Sequence, residues 1–447
     1  MTLPRRLAIA LALCAFVALG WLNQGITDAA WRQWKEEPTL LSAVRTKLAI
    51  VYRRAPDEEL YFAVASAILG QPYDRTASRW RGDTPLPEVD VPADGHLHVP
   101  YREVPLEYPP PNLPPIVLPR LLVGTYEAYV RVFGALMGLV LIGAAWLAVR
   151  RTPDRETRMF AFALLLLAHG AIAIQRLDAL VALGIVLIVD AGRRDDDRML
   201  GFWSGLVGAT KVLPIVIGVA VMAATGTRDV RRWLRFAAGA AVGLALGIVP
   251  QVVLAPGSIA LFLRYHGQRG LHVESTLGVL YGAGKALVGQ HERAVLDYGS
   301  FNFHGGFADL LAKASPVLLV VLLALVVRRA LVARDDRDTR LVLAALGATC
   351  AVWLSGKVFS PQYLTWALPL VIALPRQWRR FAWLFGAVLV VSQAYDRVFY
   401  DAVYKQEPAG IVTMVLRLAL LVALFALALR ERRRKIELDD ASPVGYP

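Results

Sequence analysis

Three carboxylates at the start of a helical pattern are the first candidates for chemistry in this chain. Asp57, Glu58 and Glu59 open the stretch DEELYFAVASAILGQPYD, in which apolar residues then repeat at helical spacing. A carboxylate in this position could act as a general base that takes a proton from a hydroxyl group. The same charges would be favoured at a helix N-terminus without any catalytic role, because the helix dipole attracts them.

Four other motifs carry charged, aromatic or histidine side chains in an otherwise apolar chain. They are EYPPPNLPP at 107–115, GLVGATKVLP at 205–214, RYHGQRGLHVES at 264–275 and SGKVFSPQYLTWALP at 355–369. Lysines and arginines of this kind are suited to binding an anionic group. His266 could act as an acid or base. Taken singly, each motif is also explained by a stiff connector, a snorkelling lysine or a solvated loop.

The composition indicates a multi-pass membrane protein. The chain has 447 residues, of which 56% are hydrophobic, and its mean hydropathy is +0.47. Its net charge of +13 comes from arginines clustered between apolar runs, which is typical of cytoplasmic loops and argues against a nucleic-acid partner. Cys14 and Cys350 both lie inside apolar runs, so no disulfide framework is expected. Residues 1–23 have no clear cleavage site and are interpreted as an uncleaved first span.

The basic clusters predict how the chain crosses the membrane. Apolar runs lie at roughly 6–23, 127–149, 159–191, 199–224, 236–254, 314–330, 341–374, 381–395 and 409–429. Basic clusters lie at 5–6, 150–158, 193–198, 228–235, 328–340, 376–380 and 430–435. All seven clusters fall on one side only if 159–191, 199–224 and 341–374 are each hairpins that enter and return. This gives about twelve transmembrane helices with both termini in the cytoplasm.

The three hairpins have arms of about 12–16 residues, which span only ~18–24 Å of a hydrocarbon core ~30 Å thick. Their tips should therefore stop inside the outer leaflet. The tips carry polar side chains: Gln175, Arg176, Asp178, Lys211, Lys357, Gln362 and Tyr363. Such groups are costly at that depth unless they line a wet cavity, so they are functional candidates. A neutralised Arg176–Asp178 pair is the alternative without function.

The expected organisation is one all-α transmembrane domain at 1–430 and a basic cytoplasmic tail at 431–447. Three stretches should lie outside the membrane, namely a large first loop at 24–126, a second at 255–313 and a third at 396–408. The proline-rich stretch at 107–115 should hold the first loop over the cavity at a fixed height. Glu107 and Tyr108 would then reach a substrate bound in that cavity.

The motifs together resemble those of glycosyltransferase family 87. The resemblance rests on D-x-x-x-Y from Asp57 to Tyr61, G-x-x-Y-D, YPP, the G-x-x-x-x-x-K-x-x-P of the central hairpin, RGLHVES and SPQYLTW in this order. It implies a GT-C-like fold and transfer of a sugar from a polyprenyl-phosphate donor, with mannose as the default. Asp57 matches the family's base by its spacing to Tyr61, whereas Asp28 lies at the expected distance from the first span.

This resemblance and the residue types give one set of candidate site residues. Catalytic candidates are Asp57, Glu58 and His266. Candidates for substrate binding are Tyr61, Glu107, Tyr108, Arg176, Asp178, Lys211, Arg269, Glu274, Lys357, Gln362 and Tyr363. No metal and no cofactor besides the lipid-phosphate sugar are expected, because the histidines, including the HLH at 96–98, lack ligand spacing.

The expected activity is sugar transfer to a lipid-linked or cell-envelope glycan at the external face of the plasma membrane. The partners would be membrane lipids, the donor lipid and the acceptor glycan. A transporter or lipid flippase is the alternative, since twelve spans and broken helices suit that class. Against it, all hairpins open to one side and no inverted repeat is visible. A scaffold without catalytic activity is a third alternative.

Overall fold

The structure is a computed structural model that describes residues 56–73, 91 and 93–430. The expected first span, Asp28, Cys14 and the 431–447 tail lie outside the described residues. The helices are α1 (Pro56–Ile68), α2 (Leu113–Leu122), α3 (Tyr126–Val149), α4 (Arg155–His169), α5 (Asp178–Arg193), α6 (Asp197–Thr210), α7 (Ile215–Ala224), α8 (Val230–Leu254), α9 (Ser258–Gln268), α10 (Thr276–Leu287), α11 (Gly306–Val332), α12 (Arg337–Ser355), α13 (Leu368–Val371), α14 (Arg379–Ala394), α15 (Tyr400–Tyr404) and α16 (Pro408–Leu429). Three short strands are β1 (Leu271–His272), β2 (Val295–Asp297) and β3 (Ser300–Phe303).

Five of the described helices are long and apolar enough to cross a membrane. They are α3, α8, α11, α12 and α16. Side-chain caps fix where several helices begin: Thr125 accepts from the Ala128 amide, Asp196 from Met199 and Asp336 from Thr339. The chain is thus a mostly helical, multi-pass membrane protein. The number of twelve spans and the orientation of the termini stay predictions.

The helices break at all three places where the sequence predicted a hairpin tip. Residues 170–177 separate α4 from α5, and residues 211–214 separate α6 from α7. After α12 the chain runs through a 3-10 helix, Pro361–Ala367, before the single turn of α13. The third segment differs from the prediction because its first arm has 19 residues and its return is mostly 3-10 helix.

Helix α12 lies at the centre of the bundle. Every residue from Leu341 to Ser355 is buried, and α5, α7, α11 and α16 surround the helix. By contrast, α11 exposes most of its apolar surface, as a lipid-facing helix does. The central helix therefore carries the third break, and with it Lys357, into the interior of the protein.

The expectation of an all-α fold is wrong in the second loop. Strands β1, β3 and β2 form a small antiparallel sheet in that order, with Leu271 opposite Phe303 and Val295 opposite Asn302. The buried Asn302 stabilises the hairpin by donating to the Asp297 carbonyl at 3.0 Å. The two- to four-residue strands are too short to show a two-residue hydrophobic period.

Ion pairs link five of the predicted basic clusters at the helix ends that lie away from the three breaks. Asp190, at the end of α5, lies 3.4 Å from Arg150 and 3.3 Å from Arg194. The other pairs are Arg193–Asp338, Arg232–Asp195, Arg232–Asp197, Arg337–Asp195 and Arg376–Asp154. Since these clusters contact one another, all five share one end of the helical bundle.

Glycines bring α6 and α8 into backbone contact. A Cβ added at Gly205 would lie 2.0 Å from the Ala240 carbonyl oxygen, and one at Gly243 would lie 2.0 Å from that of Phe202. Small residues at this spacing allow membrane helices to approach closely. Because α6 ends at Thr210, this contact sets the position of the break that carries Lys211.

We predict that Gly205→Ala lowers the thermal unfolding midpoint of the detergent-purified protein. The added methyl group meets backbone rather than a movable side chain, and overpacking of this kind costs about 1–3 kcal/mol. The matched control is Gly143→Ala in α3, where an added Cβ meets nothing within 4 Å. An equal midpoint for the two variants would contradict the prediction.

Candidate active site

One large cavity of about 1600 Å³ opens where the three helix breaks meet. Its walls also include the start of α1, the 107–112 segment, α9, the sheet and the 396–404 segment. The predicted site residues that line it are Asp57, Tyr61, Glu107, Tyr108, Arg176, Asp178, Lys211, His266, Arg269, Glu274, Lys357, Gln362 and Tyr363. The structure thus brings together residues from five separate sequence motifs.

Glu58 is the exception among the predicted site residues. Its side chain is only 1% exposed and is absent from the cavity wall, although its neighbour Asp57 lines the cavity. A helix turns by about 100° per residue, so adjacent side chains leave it in different directions. The placement of Glu58 therefore does not support its selection as a catalytic residue. Asp28, the other alternative, lies outside the described residues.

Asp57 reaches the cavity from the first turn of α1. Its carboxylate forms an ion pair with Arg176, which comes from the first helix break. Tyr61 lies one turn further along α1 on the same face, and its ring packs edge-on against Tyr108 at 5.4 Å. Burial raises the pKa of both phenols, so each remains a neutral hydroxyl that can donate a hydrogen bond.

Asp178 and Lys211 join all three helix breaks. The Lys211 ammonium donates to Asp178 Oδ1 at 2.6 Å, and the Trp366 indole N–H donates to the same oxygen at 2.5 Å. The ammonium also lies 4.1 Å from the centre of the Tyr363 ring, within range of a cation–π interaction. Asp178 is 3% exposed, so its negative charge depends on these partners.

Lys357 and Arg269 add positive charge to the side of the cavity formed by the second loop. Lys357 donates to the carbonyl oxygens of Gly267 at 3.1 Å and Arg269 at 2.9 Å. Arg269 in turn donates through Nε to Ser300 Oγ at 3.1 Å. Lys357 thus uses two of the three N–H donors of its ammonium, and Arg269 one of the five of its guanidinium, while both side chains line the cavity.

His266 faces the cavity from α9, packed edge-on against Phe262 at 4.4 Å. His266 is accessible from the cavity, but desolvation by the surrounding walls together with the positive charge of Arg269 lowers its pKa to about 4, while Glu107 opposes this shift. The imidazole is thus neutral near pH 7. A neutral ring can accept or donate a hydrogen bond but adds no positive charge for a phosphate.

The second loop also contains a buried pair that the sequence analysis missed. Arg417 of α16 lies 3.1 Å from the Glu274 carboxylate and donates to the Glu274 carbonyl oxygen at 2.9 Å. Arg417 is 1% exposed, and its guanidinium lies 4.9 Å from the centres of the Phe359 and Tyr395 rings. A lone arginine inside a 22-residue apolar helix was the available signal, since such charges normally have a buried partner. The Glu274 carboxylate therefore lines the cavity while it is paired with Arg417.

The proline-rich stretch contacts the second helix break directly. Pro110–Asn112 form a 3-10 turn, and the Asn112 amide donates to the Thr210 carbonyl oxygen at 3.1 Å. This differs from an extended polyproline connector, because the chain is extended at Pro109 and then turns at Pro110–Asn112. The turn lies next to Lys211, and Glu107 and Tyr108 line the cavity beside it.

No cluster of three or more His, Cys, Asp or Glu side chains suited to a metal ion occurs in the described part of the chain. His304, a cavity residue that the sequence analysis did not select, lies 2.8 Å from Asp297. These two residues alone do not make a ligand set. The expectation that the protein needs no metal stays a prediction.

We predict that Asp178 and Lys211 stabilise the protein as a pair. Asp178→Asn should lower the thermal unfolding midpoint because it leaves the half-buried ammonium of Lys211 without its anion. Lys211→Met should also lower the midpoint. In the double variant the midpoint should fall by clearly less than the sum of the decreases in the two single variants. Strict additivity in this double-mutant cycle would show that the contact contributes nothing to stability.

A second prediction concerns pH. Since the pKa of His266 is lowered to about 4 from an ordinary value near 6.5, the folded state binds fewer protons than the unfolded state between these values. This contribution to stability is complete above pH 6.5 and is lost as the pH falls toward 4. We expect the thermal unfolding midpoint of His266→Gln to change less with pH over that range than the midpoint of the wild type does. His291→Gln, in an exposed loop, should show the same pH dependence as the wild type. Parallel profiles for wild type and His266→Gln would contradict the prediction.

Comparison with known sequences now adds to this geometry. Residues 106–361 match the family model described as Glycosyltransferase family 87. No curated protein gives a significant match to the chain. The matched segment covers more than half of the chain and contains three of the five cavity-lining motifs in full, with the first seven residues of a fourth, 355–361. The chain therefore belongs to glycosyltransferase family 87.

Proposed function

We propose that this glycosyltransferase moves a sugar, with mannose as the default, from a polyprenyl-phosphate donor to a lipid-linked or cell-envelope glycan. The observation that carries the proposal is that one cavity contains both a carboxylate, Asp57, and the cations Lys211, Arg269 and Lys357. A base and a phosphate-binding group are the two parts that such a transfer requires.

In the proposed reaction, Asp57 takes the proton of an acceptor hydroxyl as its oxygen attacks the anomeric carbon of the donor sugar. The bond between that carbon and the phosphate oxygen breaks, and a glycosidic bond forms in its place. The polyprenyl phosphate leaves with the electron pair of the broken bond. Cations aimed at this phosphate stabilise the charge that develops there. No metal or further cofactor enters the proposal.

The partners of Asp57 support this role. The ion pair with Arg176 favours the ionised carboxylate, which is the form that accepts a proton. The neutral hydroxyls of Tyr61 and Tyr108 line the cavity nearby and can orient an acceptor. The neutral imidazole of His266 is suited to a hydrogen bond with a sugar hydroxyl.

Glu107 is a second candidate for the base. Its Oε2 atom is buried and has no hydrogen-bond partner among the described residues, and the side chain lines the cavity. A carboxylate oxygen without a partner is available to an acceptor hydroxyl. Asp57 remains the preferred base because it also matches the family motif.

We further propose that the reaction takes place on the external side of the plasma membrane. The five linked basic clusters lie at the helix ends opposite to the cavity, and the positive-inside rule assigns such clusters to the cytoplasm. The basic residues that follow α16 would place the C-terminus there as well. Family membership favours a transferase over the alternative of a transporter.

The proposal predicts that Asp57→Asn abolishes sugar transfer. Removing a general base typically costs about 10²–10⁴-fold in rate. The purified protein in lipid nanodiscs is incubated with a panel of radiolabelled polyprenyl-phosphate sugars and envelope-lipid acceptors, and labelled product is counted. Glu107→Gln, tested in parallel, should reduce transfer less than Asp57→Asn does.

The matched control is Glu59→Gln, the same chemical change two residues along the helix and outside the cavity wall, which should leave the rate unchanged. Thermal unfolding shows whether each variant is folded. A wild-type rate in Asp57→Asn would refute the base assignment. Transfer from none of the lipid-phosphate sugars would refute the donor class.

A further inference from the structure

One wall of the cavity, far in sequence from the base and the lysines of the helix breaks, consists of aromatic rings and carboxylates. We call Phe301, Tyr400, Tyr404, Asp309 and Asp401 the aromatic wall. The Phe301 and Tyr404 rings stack with their centres 4.3 Å apart and their planes 7° from parallel. Tyr400 packs against both, at 6.0 Å from Phe301 and 6.1 Å from Tyr404. All five residues line the cavity, so this surface faces whatever the cavity binds.

The two carboxylates of the aromatic wall are accessible to a ligand in the cavity. Within the described residues, neither the Asp309 nor the Asp401 side chain forms a hydrogen bond or an ion pair, and Asp401 is exposed. Asp396 also lines the cavity. Two lysines lie on this side among the described side chains: Lys313 of α11 in the cavity wall, and Lys405, whose ammonium lies 5.8 Å from the centre of the Tyr404 ring. With three carboxylates against these two ammonium groups, the described part of the wall carries a net negative charge and has acceptor oxygens available for a ligand.

The chemistry of the aromatic wall suits a sugar ring. A pyranose presents a C–H face that packs on an aromatic ring, while its hydroxyl groups donate to carboxylates. Hydrogen bonds to an ionised carboxylate are shorter and stronger than those to neutral acceptors. A phosphate would be repelled by Asp309 and Asp401, whereas Arg269, Lys211 and Lys357 attract it. Charge thus assigns the two substrates to different walls.

The volume of the cavity supports two substrates. Pockets for one small ligand typically measure about 300–1,000 Å³, and this cavity measures about 1600 Å³. A donor sugar phosphate alone would leave much of that space to water. A glycan acceptor that extends along the aromatic wall would fill it.

We propose that the aromatic wall binds the acceptor, and that this acceptor is a neutral glycan whose sugar next to the accepting one stacks on Tyr404 and bonds to Asp401. The proposal rests on the proposed function for the identity of the cavity as the transfer site. Sugars that carry a carboxylate, sulfate or phosphate at this subsite are excluded by charge repulsion. The alternative role for these tyrosines is to anchor the protein at the membrane interface.

Binding without turnover tests the proposal independently of the donor. The Asp57→Asn protein in nanodiscs is titrated with neutral disaccharides of mannose, glucose, galactose or arabinose, and saturation-transfer NMR detects binding. We expect one or more to bind, Tyr404→Ala to weaken that binding tenfold or more, and a glucuronic-acid analogue to bind poorly. Asp401→Asn should weaken the neutral disaccharide several-fold and improve the relative binding of the glucuronic-acid analogue.

Two matched controls separate this role from a structural one. Trp383→Ala removes an exposed aromatic ring outside the cavity, and Glu407→Gln removes an exposed carboxylate close to Asp401 in the chain. Both should bind disaccharide like the wild type. Binding that is unchanged in Tyr404→Ala, or absent for every neutral disaccharide, would overturn the proposal.

Turnover assays then distinguish failure of this inference from failure of the proposed function. In Tyr404→Ala the KM for the acceptor should rise tenfold or more while the KM for the donor changes less than twofold. A rise in the donor KM alone would assign the aromatic wall to the donor lipid and overturn the inference. If no lipid-phosphate sugar is a donor but disaccharides bind as expected, the proposed donor fails and the subsite stands.

Discussion

The contact between Asp178 and Lys211 is the interaction on which the geometry of the cavity depends. Asp178 begins α5 directly after the first helix break and Lys211 lies in the second. Trp366, which donates to the same carboxylate oxygen, lies in the 3-10 helix of the third. Helix breaks at membrane depth leave polar backbone and charged side chains there, and these must meet water or each other. Here they meet each other around one carboxylate, and the cavity opens beside them.

Partners limit which charges are available to a substrate. Lys211 is committed to Asp178, Lys357 to two carbonyl oxygens and Glu274 to Arg417. A positioned cation stabilises a developing phosphate charge without reorganising at the moment of reaction, so this commitment favours catalysis. Asp309 and Asp401 differ because nothing within the described residues holds them. The cavity thus has one side with cations held in place by protein partners. On its other side, the aromatic wall, Asp309 and Asp401 are available to bind a ligand.

Sequence patterns predicted the broken helices and their polar tips because charge in an apolar run is expensive and therefore informative. The same reasoning applied to Arg417 would have found the buried pair with Glu274, since the signal was equally strong. The small sheet and the aromatic wall had no such signal. Strands of two to four residues have no measurable period, and tyrosines near a membrane are as typical of an interface as of a binding site.

The proline-rich stretch illustrates why residue types alone did not give its contacts. Prolines predict a stiff chain, but stiffness does not say which part of the protein the chain touches. The 3-10 turn at Pro110–Asn112 reaches the end of α6 through Asn112, and Pro111 packs beside Gly247 of α8, the helix that glycines hold against α6. Stiffness, close helix packing and one amide hydrogen bond therefore act together on the position of Lys211. The proline-rich stretch therefore both lines the cavity and helps to hold Lys211 in position. Only the three-dimensional contacts show this second role.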